Sequence, residues 1–273
     1  MKSTHLSLTT YFEDINYTQE NSFLNTPPEV IITIFSLLNS REVGSCSFVS
    51  REWKKISNSL IDRQRDKLFE IVFSPVDWNT YFGEGTIGLE EIKEARKSLP
   101  LCIDAISCPI CPRNKMIDTF VFTYFPKNIT IKKYGELLKN KLLNISGYEL
   151  IWSRIEQELG EIPIIKHGWK AMSSEWLPHS SGKRFITQQE KINKLNKKGI
   201  KNFKVPKVLE AIICISTAHF KQNKTMFTLY FTRCHENIDD YQLTVKLRQN
   251  GLVVTANDLS PLDEIGVAAI RDF

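Results

Sequence analysis

Residues 26–35, TPPEVIITIF, set two prolines and a glutamate ahead of five consecutive β-branched residues, Val30, Ile31, Ile32, Thr33 and Ile34. Such side chains are stiff at χ1 and favour extended backbone, so local propensity alone reads a strand. A strand here would be apolar on both faces except at Thr33, which only burial on both sides would satisfy. As a helix, Val30, Ile34, Leu37 and Leu38 recur at i, i+4, i+7 and i+8 and make one apolar stripe. Pro28 suits a first helical position, where its missing N–H costs nothing, and Glu29 then lies in the first turn, where the helix dipole favours negative charge. Thr26 and Glu29 have capping-box spacing, but Pro28 disfavours helical geometry at Pro27, so the box counts for little. The phase predicts a helix.

The same pattern continues downstream. Ser40 can cap a second short helix carrying Val43, Cys46 and Val49, and Ser50 a third carrying Trp53, Ile56, Leu60 and Ile61. Three short helices with one apolar stripe each cannot enclose much interior. Their burial must be completed by the rest of the chain or by another protein.

The whole chain has 273 residues, 42% hydrophobic and 25% charged, with a net charge of +5, the balance of a folded rather than a disordered protein. No apolar run approaches the roughly 18–20 residues of a membrane span, so no membrane association is expected. Residues 1–23 are polar, rich in Ser and Thr, and lack the apolar centre of a secretory signal; they read as a poorly ordered segment. Without such a signal, six cysteines read as reduced thiols in a cytoplasmic setting rather than as a disulfide scaffold. The expected organisation is a helical module over 24–73, a linker or exposed loop over 74–88 (one Pro, three Gly), and a second domain over 89–273. No internal repeat is apparent.

Within the second domain, TFVFTYF (119–125) reads as a strand, KYGELLKNKLL (133–143) and GYELIWSRIEQELG (147–160) as helices, with Gly160 as a stop. VPKVLEAIICISTAHF (205–220) reads as a buried helix with Pro206 at its first position. LYFTRCHE (229–236), YQLTVKLRQNGLVVTA (241–256) and IGVAAIRDF (265–273) read as strands, and Asn250-Gly251 is a strong hairpin signal. Helices and strands in mixed order predict an α+β domain with an antiparallel sheet.

The segment PPEVIITIFSLLNSREVGSCSFVSREWKKI (27–56) resembles an F-box, the three-helix module that docks on the Skp adaptor of cullin–RING ubiquitin ligases. The positions that carry the resemblance are Pro27, Pro28, Glu29, Val30, Ile34, Phe35, Leu38, Val43, Cys46, Val49, Ser50, Arg51, Trp53, Lys54 and Ile56. Two departures are Thr26, where the family usually has Leu, and Gly44 inside the second helix, which weakens it by about 1 kcal/mol relative to Ala. The resemblance implies that Pro27, Pro28, Glu29, Val30, Ile34, Leu38, Val43, Cys46, Val49, Trp53 and Ile56 divide between a small core and an adaptor-binding surface. It also implies a substrate receptor with no catalytic site of its own, holding an unidentified protein target. GYELIWSRIEQELGEIPI, HGWKAMSSEWLP, VPKVLEAIICI, YFTRCHENIDDYQLTV and EIGVAAIRDF resemble substrate-side regions of F-box proteins encoded by chlamydia-like intracellular bacteria, which implies an effector secreted into a host cytoplasm.

The residues also offer chemistry to weigh against this. CPIC (108–111) has the two-residue spacing of zinc knuckles and redox dithiols, and Cys234 and His235 would complete a four-ligand set. A single CxxC, bracketed by Pro109 and Pro112 and with no second pair, reads better as free thiols, and no metal or other cofactor is expected. A cysteine nucleophile needs a histidine in contact; Cys111 with His167 or Cys214 with His219 could be paired, but no local signature supports either. Residues 183–207 hold nine Lys/Arg (183, 184, 191, 194, 197, 198, 201, 204, 207) against Glu190 alone, best read as a solvated helix face. Only Phe185 and Phe203 interleave there, so nucleic acid is not an expected partner. The aromatics of 119–125 and Trp152, Trp169 and Trp176 read as core. The alternative to the receptor is a cysteine-dependent enzyme, or a small structural zinc module, with the N-terminal helices as a cap.

Overall fold

The computed structural model describes residues 27–38, 40–46, 51–104, 107–111, 113–139, 148–197, 202–227, 230–258 and 264–273. The expected N-terminal segment 1–23, the second-helix residue Val49 and the cap Ser50 lie outside them. The chain divides into two units, Met1–Arg63 and Gln64–Phe273.

The described residues of the first unit are mostly helical. α1 (Pro28–Ser36) and α2 (Ser40–Cys46) are followed by α3 (Arg51–Ile71), and the division between the units falls within α3. At 21 residues α3 is far longer than the short third helix expected; no Gly or Pro interrupts the sequence before Pro75. The core of this unit is Ile31, Phe35, Val43 and Trp53, with Leu38, Cys46, Ile56, Leu60 and Ile61 packed against it.

The second unit begins its core with Leu68 and Val72. The expected linker at 74–88 is instead part of that core. α4 (Pro75–Phe82) starts from Ser74, whose hydroxyl accepts the Asp77 N–H while the Asp77 carboxylate accepts the Ser74 N–H, a reciprocal capping box. Trp78, Phe82 and Ile87 are buried, and the Trp78 indole N–H donates to the Tyr124 carbonyl at 2.7 Å. Burial of two aromatics one helical turn apart outweighs the loop-like composition. α5 (Leu89–Ser98), a 3₁₀ turn (Leu101–Asp104) and α6 (Met116–Thr119) lead into β1 (Phe120–Phe125).

After α7 (Ile131–Lys139) comes β2 (Tyr148–Ile151), then α8 (Ser153–Leu159) and β3 (Gly168–Ser173). The helix expected over 147–160 is thus split. Its first part, with Tyr148 and Ile151, pairs in parallel with a distant strand, and tertiary pairing overrides the helical spacing. α9 (Phe185–Asn196) and β4 (Phe203–Lys204) precede α10 (Val208–Gln222). Pro206 lies ahead of α10 rather than at its first position: Lys207 is the N-cap, and its N–H donates to the Glu210 carboxylate at 2.9 Å. The chain ends in β5 (Phe231–Ile238), β6 (Tyr241–Arg248), β7 (Gly251–Asp258), β8 (Ile265–Gly266) and β9 (Ile270–Asp272).

Two sheets result. One is antiparallel with order β1-β3-β9-β4; the other is mixed, with order β2-β7-β6-β5-β8. The fold class is α+β, as the sequence predicts. α10 packs on β1 and β3 of the first sheet and on β5, β6 and β7 of the second. This is why it is buried on every side from Val208 through Ala218, with Glu210, Ser216 and Thr217 among mostly apolar residues. Its polar groups are satisfied inside, Thr217 by Thr123 at 2.9 Å and Ser216 by Tyr134 at 2.5 Å. Phe73 bonds β1 through its own N–H and carbonyl, at 2.9 Å each, and so occupies that strand's outer edge. The β6–β7 hairpin turns at Gln249-Asn250, with Gly251 at φ 149° opposite Arg248.

Candidate functional site

The chemistry-bearing side chains are scattered. Cys214 sits in the interior of α10, and burial pushes its thiol well above the usual range. His219, on the same helix, is half-buried, and burial lowers its imidazole below its ordinary value. Cys234 is fully buried in β5 while His235 is exposed, as neighbours on a strand must be when one face is core. That alternation keeps the two from meeting one ion together with the CPIC pair. Among the described residues, no group of three or more His, Cys, Asp or Glu is placed to hold a metal, and no helix is long and apolar enough to cross a membrane.

Of the nine cations in the basic run 183–207, Lys191 and Lys194 lie on α9, and Lys198 and Lys201 lie outside the described residues. On α9 Ile192 and Leu195 are buried while Lys194 is exposed and closes the last turn, so a solvated face describes this helix. It does not describe Lys204, which sits in β4 and pairs with Glu210 and Asp272, nor Lys207, the N-cap of α10. Trp169 is buried and donates its indole N–H to the Ala95 carbonyl at 2.8 Å, whereas Trp152 and Trp176 are only half-buried.

The first unit presents a different kind of surface. α1 starts as predicted, with Pro27 as N-cap, Pro28 first in the helix and Glu29 in the first turn; the Val30 and Ile31 N–H groups both donate to the Pro27 carbonyl. Thr33 donates its hydroxyl to the Glu29 carbonyl at 2.8 Å, one turn back along the helix. The inward stripe, however, is one residue out of the expected phase. Ile31 and Phe35 are buried and Leu38 is half-buried, while Val30, Ile34 and Leu37 are 46%, 42% and 83% exposed. Phe35 decides the phase. Its ring meets that of Trp53 edge to face, with centroids 5.3 Å apart at 79°, a geometry the aromatic quadrupoles favour.

α1 therefore carries two parallel apolar stripes, 31/35/38 inward and 30/34/37 outward. Beside them Ile32, Lys55, Ile56, Ser59, Leu60 and Arg63 line a shallow groove within this unit, with an aliphatic floor and two cations at its rim. Of these, Ile56 alone belongs to the expected site residues; Ile32, Lys55, Ser59, Leu60 and Arg63 do not. The only sequence signal for Lys55, Ser59 and Arg63 is their helical spacing at i, i+4 and i+8. Val43 and Trp53 belong to the core, and Cys46 and Ile56 line its margin. Burial and then the Glu42 carboxylate raise the Cys46 thiol. No Cβ contact constrains Gly44, so its place in α2 is not set by crowding.

Among curated proteins and solved structures, none matches the chain. One family model does match, F-box-like, over residues 23–65. The chain carries an F-box-like domain whose span takes in α1, α2 and the first part of α3.

Proposed function

We propose that the protein is a non-catalytic substrate receptor: the F-box-like domain docks on a Skp-type adaptor of a cullin–RING ubiquitin ligase, and the α+β unit holds a protein target. The observation that carries this reading is the F-box-like domain whose first helix leaves Val30, Ile34 and Leu37 exposed as one stripe. A contiguous aliphatic stripe on the surface costs solubility unless a partner covers it. The mechanism is effective concentration: lysines on a tethered target react as if intramolecularly with a ubiquitin-charged enzyme. In ubiquitin transfer the chain's own residues bind and position the target.

The full chain mixed with a purified Skp adaptor is expected to form a stable complex on size exclusion, and Ile34→Lys with Leu37→Lys to abolish it. No complex at micromolar concentration would remove the proposal. The likeness of the second unit to substrate-side regions from chlamydia-like bacteria supports a further proposal, that the receptor works in a host cytoplasm after secretion. A translocation reporter fused to the chain that never reaches the host cell would count against it.

A further inference from the structure

The CPIC turn holds chemistry that docking does not use. Ser107 and Lys115 bridge as antiparallel neighbours, the Cys108 N–H donates to the Asn114 carbonyl at 2.7 Å, and the Asn114 N–H donates to the Cys111 carbonyl at 2.9 Å. A turn closed in this way aims two backbone N–H groups back at one sulfur. Ile110 donates to Cys108 Sγ at 3.3 Å and Cys111 donates to it at 3.1 Å. Cys108 is buried and Cys111, three residues on in the same turn, is exposed.

Two cysteines of one closed turn, one sulfur held by backbone donors and the other open to solvent, are the parts of an exchangeable bond. A tetrahedral metal site would need further ligands, and among the described residues none stands with this pair. We propose that Cys108 and Cys111 form a reversible thiol–disulfide couple that exchanges with low-molecular-weight disulfides of the glutathione class.

The steps balance. The Cys111 thiolate attacks one sulfur of glutathione disulfide, forming a mixed disulfide and releasing one glutathione thiolate. The Cys108 thiolate then attacks the Cys111 sulfur and expels the second. The protein loses two protons and two electrons, and one glutathione disulfide becomes two glutathiones. In the reverse direction glutathione attacks the exposed Cys111 sulfur and Cys108 leaves as a thiolate beside its two N–H donors; a second glutathione then frees Cys111 and departs as glutathione disulfide. The pair therefore stays open in a thiol-rich pool and closes when disulfide accumulates. Burial, the Cys108 sulfur and the Glu175 carboxylate hold the Cys111 thiol above its usual range, so closure should quicken as pH rises.

The test equilibrates the full chain in glutathione buffers of increasing disulfide fraction, traps free thiols by alkylation, and reads each cysteine by peptide mass spectrometry. The expected result is joint loss of alkylation at Cys108 and Cys111, a bond linking the two, full reversal by reduced glutathione, and continued alkylation of buried Cys214 and Cys234 after denaturation. Cys108→Ser should instead accumulate glutathione on Cys111. Three results would each overturn the proposal: both thiols alkylated at every ratio, a bond from either to a different cysteine, or stoichiometric zinc that copurifies and shields the pair.

Discussion

Replacing Phe35 with alanine and, separately, Ile34 with lysine probes two neighbouring positions of α1 that face opposite ways. Phe35 is 1% exposed and in ring contact with Trp53. Its truncation should cost about 3–5 kcal/mol in lost transfer energy and cavity, of which about 0.5–1.5 kcal/mol is the aromatic pair. Among the described residues, the buried apolar core of the first unit is Ile31, Phe35, Val43 and Trp53. A small core rarely supplies more than about 3–5 kcal/mol, so this truncation should remove most of its contribution. Ile34 is different: it is 42% exposed, and lysine has the higher helix propensity, keeps an aliphatic stem, and brings a cation to the helix C-terminus. Its stability change should stay within about 1 kcal/mol. Hydrogen exchange separates the two. Phe35→Ala should erase amide protection over 28–36 and leave β5–β7 protected, whereas Ile34→Lys should keep protection and lose the adaptor. Retained protection in Phe35→Ala, or melting of α1 in Ile34→Lys, would refute the inward and outward assignment.

Other perturbations concern the second unit. Lys170, fully buried, bonds Asp272 at 2.5 Å and pairs with Glu210 at 3.1 Å, while Lys204 reaches both acids; Lys170→Met leaves buried Glu210 with one cation, and urea denaturation should show a loss of about 3–5 kcal/mol. Burial works against the Asp272 carboxylate, yet its bonds to Lys170 and Lys204 hold its pKa below the usual value. Stability from that carboxylate is therefore present above its unfolded pKa of about 3.9 and lost as pH falls through the lower folded value; the urea midpoint should drop more steeply below about pH 4 in the parent chain than in Asp272→Asn. Gly135→Ala would bring a Cβ to 2.5 Å from the Tyr148 ring, whose hydroxyl is tied to the Ile131 carbonyl at 2.9 Å, and should destabilise by about 1–3 kcal/mol. Ser74→Ala removes one half of the α4 capping box and should cost about 1 kcal/mol by thermal or urea unfolding.

What could be read from the sequence depended on how local the deciding interactions are. The β6–β7 hairpin, whose turn lies one residue ahead of the Asn250-Gly251 signal, and the largely apolar α10 are legible because turn chemistry and a long apolar run need no knowledge of a partner. β1 is legible for the same reason. The inward face of α1 is not, because Val30 to Leu38 supply two overlapping stripes, and the choice rests on Trp53 across the unit. Residues 74–88 mislead through their glycines, although Trp78 and Phe82 at i, i+4 and Ser74 ahead of Pro75 and Asp77 already spell a capped, half-buried helix. β2 is hidden because its pairing partner, β7, lies far downstream. For the candidate site, the sequence identifies the helices and their apolar residues but does not say which of those residues face outward.

The place of β9 between β3 and β4 makes the antiparallel sheet depend on pairing between distant parts of the chain. Residues 270–272 supply its interior strand, and Lys170 meets Asp272 across 102 positions of sequence. Until that strand docks, β3 presents an open edge and β4 has no strand to pair with. Loop-closure entropy is spent before such contacts reward it, so the second unit should fold slowly and expose aggregation-prone edges while it does. A change that disables residues 270–272 alone would leave two unpaired edges rather than one frayed strand.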